Sequence, residues 1–307
     1  MVNSFSLRAG LSSRNPFVRK AAESLLRVPK LFRSFGVRAE DFEQRPPVLI
    51  NSIPKSGTHL LMQVVEGLPD RVNYGDFVAT MTRSFQFRER SAEEIRRLIR
   101  RIVPGEIVRG HLFFDEQYLG ELAGRNVANF FIYRDPRDIA LSSCHYLRGM
   151  NPWHKLHKYF RHTKSVGEAL ELVIRGLEPP VPGVEFPDIG QRLARYQGWL
   201  SDANCFAVQY EELQSESRPA VLRNMAAFYA ARSTRPVDVE ACTQNMLAAI
   251  APELSHTFRS GKKAGWRREF TRRHRELFHE VAGQLLIDWG YESDASWVDA
   301  PEAAMQS

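Results

Sequence analysis

Apolar residues between positions 47 and 290 fall into short uninterrupted runs, separated by stretches in which they recur every three or four positions. The short runs are bounded by turn or polar residues, as is typical of buried strands. They cover residues 47–51, 107–109, 127–133 and 205–209. The stretches with helical spacing predict helices over residues 59–66, 136–147 and 270–289. Pro136 stands at a helix start, where proline is tolerated, and Gly290 is a candidate C-cap.

The order of these elements predicts the fold class. Strands that alternate with helices form a mainly parallel central sheet flanked by helices, because parallel neighbours need a crossover connection. The chain is therefore predicted to be an α/β protein. Since ligands of such sheets bind beyond the carboxyl ends of the strands, the loops 52–58, 109–111 and 134–142 are expected to face one common site.

The regions outside this pattern predict the domain organisation. Residues 1–46 are rich in Lys and Arg, with Leu and Phe between them. This arm is either an amphipathic segment that lies on an anionic membrane or an arm that is solvated or packed on the domain. Residues 47–292 are predicted to form one domain, and residues 293–307 a C-terminal tail. Segments 70–90 and 148–188 are interpreted as irregular lids or binding loops.

Composition narrows the class of partner and the compartment. The apolar fraction of 43% is ordinary for a globular protein, whereas the net charge of +6 favours anionic partners. The cysteines Cys144, Cys205 and Cys242 include no CxxC pair, which argues against a disulfide framework or a cysteine zinc site. We find no apolar run long enough to span a membrane and no signal-peptide core. A cytoplasmic location is expected, with peripheral membrane contact as an option.

The first candidate site is the segment Ile-Pro-Lys-Ser-Gly-Thr-His at residues 53–59, between a predicted strand and a predicted helix. Backbone N–H groups in such a turn and at a helix N-terminus form an anion site. Lys55 adds a positive charge, and the hydroxyls of Ser56 and Thr58 add donors. The segment is not a Walker A motif, because the lysine precedes Gly57. The alternative is a structural turn.

The second segment, residues 133–142, places Arg134 at a strand end and Ser142 on the first turns of the next helix. An arginine and a hydroxyl that converge there suit a second phosphate group. Alternatively, Arg134 forms a salt bridge with Asp135 or Asp138.

The third segment, residues 258–271, holds Arg259, Gly261 and Gly265 among further basic residues. It suits a loop wrapped on an anion, although by itself it fits an exposed basic loop better. Three anion sites together would imply a ligand with at least two phosphate-like groups.

In order and spacing, these segments resemble the signatures of sulfotransferases that use 3′-phosphoadenosine 5′-phosphosulfate (PAPS). The chain looks like a bacterial-like variant of the cytosolic type, and the resemblance spans residues 47 to about 290. It implies the P-loop-NTPase-like sulfotransferase fold, PAPS as co-substrate and no metal. Two further elements match: the basic-x-His element at Arg109 and His111, and the tyrosine-acid-acid element at Tyr210.

The resemblance also implies the roles of individual residues. It assigns the 5′-phosphosulfate to Lys55, Ser56, Gly57, Thr58 and His59. It assigns the 3′-phosphate to Arg134, Ser142, Arg259, Ser260 and Gly261, and places Tyr210 near the adenine. Lys55, His111 and Ser142 are the implied catalytic residues, with Lys55 neutralising charge on the leaving phosphate and His111 taking the acceptor proton during in-line transfer.

Several positions depart from the commonest pattern of the family. His59 replaces a second threonine, and Ser260 stands where lysine is usual. Leu60 occupies the position of a tryptophan that stacks on adenine in many members, so an aliphatic face is expected there. Gly265 replaces an aspartate. The donor-binding residues themselves are retained.

The environment of His111 can be anticipated from its spacing. Arg109 lies two residues earlier, on the same side of an extended strand. Its charge should oppose protonation of the imidazole and keep it neutral, as a base requires. The alternative is a hydrogen-bonded structural histidine.

Two other functions remain open from the residues alone. One is a nucleotide kinase on a related α/β scaffold, and the other is a non-enzymatic module that binds polyanions or membranes. The acceptor is expected to be a small molecule, glycan or lipid with a hydroxyl or amine, and nucleic acid is not expected as a partner. His154, His157 and His162 are the nearest candidates for a metal cluster, and we interpret them as part of a surface loop.

Overall fold

The computed structural model describes Leu25 and residues 29–177, 181–251 and 264–301. The strands are β1 (Val48–Ser52), β2 (Val72–Ala79), β3 (Glu106–His111), β4 (Ala128–Tyr133) and β5 (Cys205–Gln209). The helices of its first half are α1 (Ala39–Gln44), α2 (Thr58–Glu66), α3 (Ala92–Ile99), α4 (Leu119–Ala123) and α5 (Pro136–His145). Those of its second half are α6 (His157–Phe160), α7 (Val166–Arg175), α8 (Ile189–Ala194), α9 (Arg218–Ala230), α10 (Val239–Ala248), α11 (Trp266–Glu269) and α12 (Arg272–Asp288).

The five strands form one sheet in the order β2-β3-β1-β4-β5, and each neighbouring pair is parallel. This confirms the predicted α/β class and the four predicted strands. Strand β1 lies at the centre, and all five of its residues are buried. The chain moves to opposite sides of β1 for β3 and β4, which opens a crevice at the carboxyl end of β1.

Apolar side chains cover both faces of the sheet. One cluster joins α5, α7 and α12 to the sheet through residues such as Leu49 and Phe131. The other joins α2, α9 and α10 through residues such as Ile50 and Phe130. Because alternate residues of a strand point to opposite faces, consecutive residues of β1, and likewise of β4, belong to different clusters.

Strand β2 was not predicted, and the interpretation of residues 70–90 as a lid is wrong for this part. Its sequence mixes Asn73, Gly75 and Asp76 with apolar residues, and its register with β3 shifts between Asn73 and Phe77. An edge strand has a partner on one side only, so it tolerates such irregularity. The apolar pattern on which strand prediction depends is therefore weak here.

The segment 148–188 is also more regular than expected. It contains α6 and α7, and α7 packs against α5 and α12. The buried residues of α7 recur at helical spacing: Ala169, Leu170, Val173 and Ile174. Ser165 caps this helix by accepting a hydrogen bond from the N–H of Glu168.

Helix α12 ends at the predicted residue. Gly290 has a φ of 74°, and the N–H groups of Gly290 and Tyr291 donate to the carbonyls of Ile287 and Leu286. These two bonds are those of a Schellman motif, for which glycine is favoured because the left-handed conformation strains other residues. The predicted C-cap is confirmed.

The described part of the N-terminal arm is attached to the domain. Lys30 contacts Asp76, and its Nζ lies 2.7 Å from a carboxylate oxygen of Glu106. Glu106 is buried, and desolvation raises its pKa to about 7 in spite of Lys30. Residues 1–24 and 26–28 lie outside the described residues, so the predicted membrane contact of the arm stays a prediction, as do the predicted domain limits.

Two further observations concern compartment and redox state. In the described ranges, we find no helix that combines the length and the hydropathy needed to cross a bilayer. All three cysteines fall within those ranges, and none is in a disulfide.

Candidate active site

The predicted loops meet in one cleft at the carboxyl edge of the sheet. This cleft is part of a larger depression of about 2980 Å³ that also reaches Ile107, near the amino end of β3. Pockets that hold a single small molecule usually measure about 300–1,000 Å³, so the depression as a whole exceeds what one such ligand needs. Its lining includes eight of the residues singled out in the sequence: Lys55, Gly57, Thr58, His59, His111, Arg134, Ser142 and Tyr210.

The loop after β1 has a backbone shape that few residues can adopt. Lys55 has a φ of 76° and Gly57 a φ of 113°, both in the left-handed region. A Cβ on Gly57 would lie 2.5 Å from the ring of Tyr210, so a side chain is excluded here by packing as well as by conformation. Gly57 thereby lets the loop approach Tyr210 closely, at the start of α2.

The hydroxyl of Ser56 does not face the cleft. Its Oγ lies 2.7 Å from the carbonyl oxygen of Ile53 and 2.8 Å from that of Ile132, and the residue is fully buried. The backbone N–H of Ser56 donates to Ile53 as well. Ser56 therefore holds the loop to the end of β4, and its predicted direct contact with the donor stays a prediction.

The N-terminus of α2 lies in the first segment, where the sequence predicts an anion site. Thr58 begins a helix of nine residues, and His59 follows it, exposed at the cleft surface. The first backbone N–H groups of a helix have no partner within it, and the helix dipole favours negative charge there. This end of the cleft is therefore suited to a phosphate or sulfate group.

Lys55 lies beside an aromatic ring that the sequence reasoning did not single out. Its Nζ is 4.5 Å from the ring centroid of Tyr146, within the range of a cation–π interaction. Tyr146 opens a π-helical turn, Tyr146–Met150, that continues α5. Tyr146 follows Ser142 by four residues, a spacing that puts both on one face of a helix. This spacing in the sequence could have identified Tyr146 as a residue near the site.

His111 is the last residue of β3, and buried polar groups support it. Asn51 in β1 accepts a hydrogen bond from the N–H of Leu112 and donates to its carbonyl. These bonds fix the backbone beside His111. The ring of His111 is half-buried and meets the ring of Phe77 edge-on, with centroids 5.1 Å apart. The ring is thus held at the cleft wall, on the same side as Arg109.

The hydrogen bond of His111 determines which ring nitrogen can act as a base. Its Nδ1 lies 2.8 Å from the carbonyl oxygen of Ser52. A carbonyl oxygen can only accept, so Nδ1 carries the proton in the neutral ring. Nε2 consequently keeps its lone pair and can accept a proton.

The pKa of His111 is lowered from 6.5 to about 4. Desolvation by burial is the largest cause, and the charges of Arg109, His59 and Lys55 add to it. The expected neutrality of the imidazole is therefore supported. Arg109 contributes as anticipated, but burial contributes more.

A hydroxyl network joins the histidine to the loop after β1. The Oγ of Ser52 lies 3.0 Å from Nδ1 of His111 and 2.8 Å from Oγ1 of Thr58. Ser52 was predicted to be part of the loop rather than a site residue. In the structure it connects Thr58, at the N-terminus of α2, with His111.

Arg134 occupies the end of β4 with a defined partner. Its Nη2 donates to Asp138 at 3.0 Å, which answers the question of whether Asp135 or Asp138 pairs with it. The guanidinium also lies 4.4 Å from the ring centroid of Tyr210. Since Tyr210 packs against Gly57, one stack of residues connects the loop after β1 to Arg134.

Asp135 has a separate structural role. Its carboxylate accepts from the N–H and guanidinium of Arg137 and from the indole of Trp266. Arg137 contacts Glu292 as well, so this buried group ties α5 to α11 and the C-terminal residues.

The third segment is described only at its end. Arg259, Ser260 and Gly261 lie outside the described residues, so their implied contacts stay predictions. The chain is described again from Ala264, and the N–H of Trp266 donates to Asp138 at 3.0 Å. Because Asp138 also binds Arg134, the described end of this segment lies beside the second segment.

Ser142 and Leu60 both line the cleft. Ser142 is half-buried on α5 and lines the cleft with Arg134. Leu60 is 9% exposed and belongs to the apolar cluster beneath α2, with its edge at the cleft. An aliphatic contact at the predicted adenine position therefore remains the expectation.

The histidines of residues 154–162 do not form a common site. His154 accepts from the N–H of Leu156, His157 bonds to the carbonyl of Leu147, and His162 bonds to Arg161. Within the described ranges, no group of three or more His, Cys, Asp or Glu residues could hold a metal ion.

Comparison with known families gives one match that covers most of the chain. The model of the sulfotransferase domain matches residues 45–290. A comparison with curated protein sequences finds no match.

Solved structures share the fold at low identity. A mouse sulfotransferase, SULT7A1, complexed with PAP is 20% identical, with 83% of this chain and 87% of that chain covered and a TM-score of 0.52. Retinol dehydratase in complex with androsterone and inactive cofactor PAP is 16% identical, with coverages of 84% and 85% and a TM-score of 0.52. Its complex with retinol and PAP is 17% identical, with coverages of 84% and 86% and a TM-score of 0.52.

Proposed function

Because the chain belongs to the sulfotransferase domain family, it is a sulfotransferase, and we propose that its cleft binds PAPS and transfers the sulfuryl group to an acceptor hydroxyl or amine. The observation that carries this proposal is the convergence of three separate elements on one cleft. Lys55 follows β1, His111 ends β3 and Arg134 follows β4, and all three line the same cleft.

The chemistry of these residues fits a donor with two separate anionic groups. The N-terminus of α2 and Lys55 suit the 5′-phosphosulfate, because both favour negative charge. Arg134 and Ser142 suit the 3′-phosphate, since a guanidinium and a hydroxyl can donate several hydrogen bonds to it. Tyr210, packed between Gly57 and Arg134, supports both regions.

The acceptor side requires a base and a path for the proton. PAPS, when bound, supplies an electrophilic sulfur whose bond to the phosphate oxygen breaks as the acceptor oxygen or nitrogen attacks. His111 is half-buried at the cleft wall, and its Nδ1 is engaged by Ser52. Its Nε2 therefore takes the acceptor proton while the ring is held in one orientation. A depressed pKa keeps the ring neutral at physiological pH, so the base is ready before the acceptor binds.

The leaving side requires stabilisation of growing negative charge on the phosphate. Lys55 provides it, because the residue lies in the turn that is proposed to bind the phosphate. Its ammonium group contacts the ring of Tyr146 at the cleft wall. Preorganised charge of this kind is often the largest catalytic contribution in group transfer. Ser142, on the next face of the cleft, assists as a hydroxyl donor.

The alternative of a nucleotide kinase is not supported. The matched family is a sulfotransferase family, and the lysine of the loop precedes Gly57 rather than following a second glycine. A protein that only binds polyanions or membranes does not need a histidine held in place by Ser52 and Asn51. The alternative of a purely binding module therefore does not account for these hydrogen bonds.

The acceptor region of the cleft favours a largely apolar molecule. Near His111 and beyond it the lining is mostly aromatic or aliphatic: Phe77, Met81, Phe87, Phe113, Leu193 and Tyr196. Arg83, Arg109 and Arg195 add cations to the same wall. An amphiphilic acceptor, with an apolar body and a polar head, matches this combination better than a nucleic acid does.

The test compares nucleotides before acceptors. Thermal shift of the full chain should show stabilisation by adenosine 3′,5′-bisphosphate that exceeds that by adenosine 5′-phosphate or by ATP with Mg²⁺. Incubation with labelled PAPS and a panel of phenols, sterols, glycolipids and amines should then yield a labelled product. Stabilisation by ATP with Mg²⁺ alone, without stabilisation by the bisphosphate, would overturn the proposal.

A further inference from the structure

Large apolar side chains protrude at the mouth of the cleft. Among the described residues, eight such side chains are exposed, and four of them line this cleft on the acceptor side. Their exposed fractions are 83% for Trp153, 60% for Phe85, 47% for Met150 and 41% for Phe77. Exposed aromatic residues gathered in one place mark an interaction surface more often than isolated ones do.

Three of these side chains, those of Phe85, Met150 and Trp153, lie on two loops that contact each other. The N–H of Lys155 donates to the carbonyl of Ser84 at 2.9 Å, and the rings of Phe87 and His154 lie 5.0 Å apart. These contacts join the loops 83–87 and 150–155. We refer to these two loops, with Phe85, Met150 and Trp153 at their tips, as the cleft rim.

The second loop of the cleft rim lies in a stretch of the sequence that is rich in basic residues. No Asp or Glu occurs from Ile139 to Gly167, a stretch that contains Arg148, Lys155, Lys158, Arg161 and Lys164. Lys158, Arg161 and Lys164 are exposed. On the other loop, Arg83 is exposed too. The apolar tips of the rim therefore have several exposed cations near them in the sequence.

We propose that the cleft rim docks on an anionic membrane surface. Trp and Phe at loop tips insert at the boundary between head groups and acyl chains. Their apolar rings contact the acyl chains there, and the indole N–H of Trp can bond to the polar head groups. Lys and Arg beside them are attracted by anionic lipids.

Docking in this orientation turns the mouth of the acceptor region towards the bilayer. Resting on the proposed function, it follows that the acceptor is a membrane lipid whose polar head carries the hydroxyl or amine. Such a molecule enters the cleft from the surface without crossing water, and its apolar part contacts the rim. An acidic protein could use the same cations, but the protruding tips suit a fluid surface, which adapts to them.

The tryptophan content of the chain allows a direct test. The chain has five tryptophans, and Trp199, Trp266, Trp289 and Trp297 are all buried. Trp153 alone is exposed to solvent among them, so a change of fluorescence on adding vesicles reports on the rim. The full-length protein is titrated with phosphatidylserine–phosphatidylcholine vesicles, with pure phosphatidylcholine vesicles and with polyglutamate, at low and high salt. No donor or turnover is needed, so failure here is separate from failure of the proposed function.

The expected result is a shift of emission to shorter wavelength with the anionic vesicles, weakened by salt. Trp153→Phe should remove the shift and retain co-sedimentation, whereas a Trp153→Ser, Phe85→Ser double variant should reduce co-sedimentation. Lys158→Gln and Arg161→Gln should each weaken binding about fivefold, the equivalent of about 1 kcal/mol for each cation near the surface. Arg223→Gln, the matched control at an exposed position of α9, should leave binding unchanged.

Three outcomes would overturn the proposal. The first is the absence of both the shift and co-sedimentation. The second is co-sedimentation without a shift, which would assign membrane binding to another part of the chain such as the N-terminal arm. The third is a shift with polyglutamate but not with vesicles, which would identify an acidic protein as the partner of the rim.

Discussion

Nδ1 of His111 lies 2.8 Å from the backbone carbonyl oxygen of Ser52, across the boundary between β3 and β1. This hydrogen bond connects the two strands that carry the base and the donor loop. It leaves Nε2 as the ring nitrogen that accepts a proton. The orientation of the base is thus set by the backbone of the loop that is proposed to hold the donor.

Replacement of His111 by alanine should abolish turnover while nucleotide binding persists. General-base catalysis contributes about 10²–10⁴-fold, so the rate with a true acceptor should fall by that factor. Affinity for adenosine 3′,5′-bisphosphate, measured by calorimetry, should be retained. His162→Ala, on the exposed surface, is the control. Retained turnover in His111→Ala would assign the proton to another group, with His59 or His145 next in line.

The pH profile should reflect the depressed pKa of His111. The base is active when deprotonated, so kcat/KM should hold as pH falls through 6.5 and decline only near pH 4.

The lowered pKa of His111 also affects the free energy of unfolding. Below pH 6.5 the histidine binds a proton in the unfolded chain, whereas in the folded chain it binds one only near pH 4. His111 should therefore reduce stability as pH falls across that window, which urea unfolding of wild type and His111→Gln would show. An acid limb near pH 6.5 that disappears in His111→Gln would contradict the assignment.

Lys55→Met should lower kcat more than it raises the KM for PAPS. The ammonium group is proposed to act on charge that grows as the S–O bond breaks, so its removal affects the transition state most. Loss of one such stabilising donor reduces kcat by about 10²–10³-fold. Tyr146→Phe keeps the ring on which Lys55 rests and should have little effect. A change confined to KM would show that Lys55 only binds the donor.

Arg134→Ala should weaken binding of adenosine 3′,5′-bisphosphate far more than binding of adenosine 5′-phosphate. Hydrogen bonds to charged groups contribute about 1.5–3 kcal/mol, or roughly 10- to 150-fold in affinity. Arg134→Lys, which retains the charge but not the planar fork, should fall between the two. Calorimetric titration of both nucleotides measures the difference. Equal weakening would mean that Arg134 does not recognise the 3′-phosphate.

Asp135→Ala should destabilise the fold. The carboxylate is buried with Arg137 and accepts from the indole N–H of Trp266, so its removal leaves that N–H without its acceptor and the buried Arg137 with Glu292 as its remaining carboxylate contact. Breaking such a pair costs about 3–5 kcal/mol, which urea unfolding can measure. Asp288→Ala, an exposed residue at the end of α12, should change the midpoint little. Equal midpoints for the two variants would show that the buried pair is dispensable.

Local patterns were sufficient for much of the fold. The four apolar runs predicted β1, β3, β4 and β5, because a buried strand in a parallel sheet needs apolar residues on both faces. The residues Pro136 and Gly290 marked the helix ends that the structure shows, since both act through their own backbone geometry. Strand β2 and helix α7 escaped prediction, the first because its apolar pattern is broken and the second because it lies in a stretch assigned to loops.

Residue types at short fixed spacings were sufficient to identify the family and to predict the donor loop and the order of the site residues. How those residues are placed and paired depends on the tertiary structure. The partner of Arg134, the ring beneath Lys55 and the side on which Ser56 points each depend on atoms brought together from distant parts of the chain. The protonation of His111 depends most on them, because its pKa is set by burial and by the Ser52 carbonyl 59 residues away. Desolvation and hydrogen bonding act over a few ångströms in space, and no local pattern encodes which groups will meet at that range.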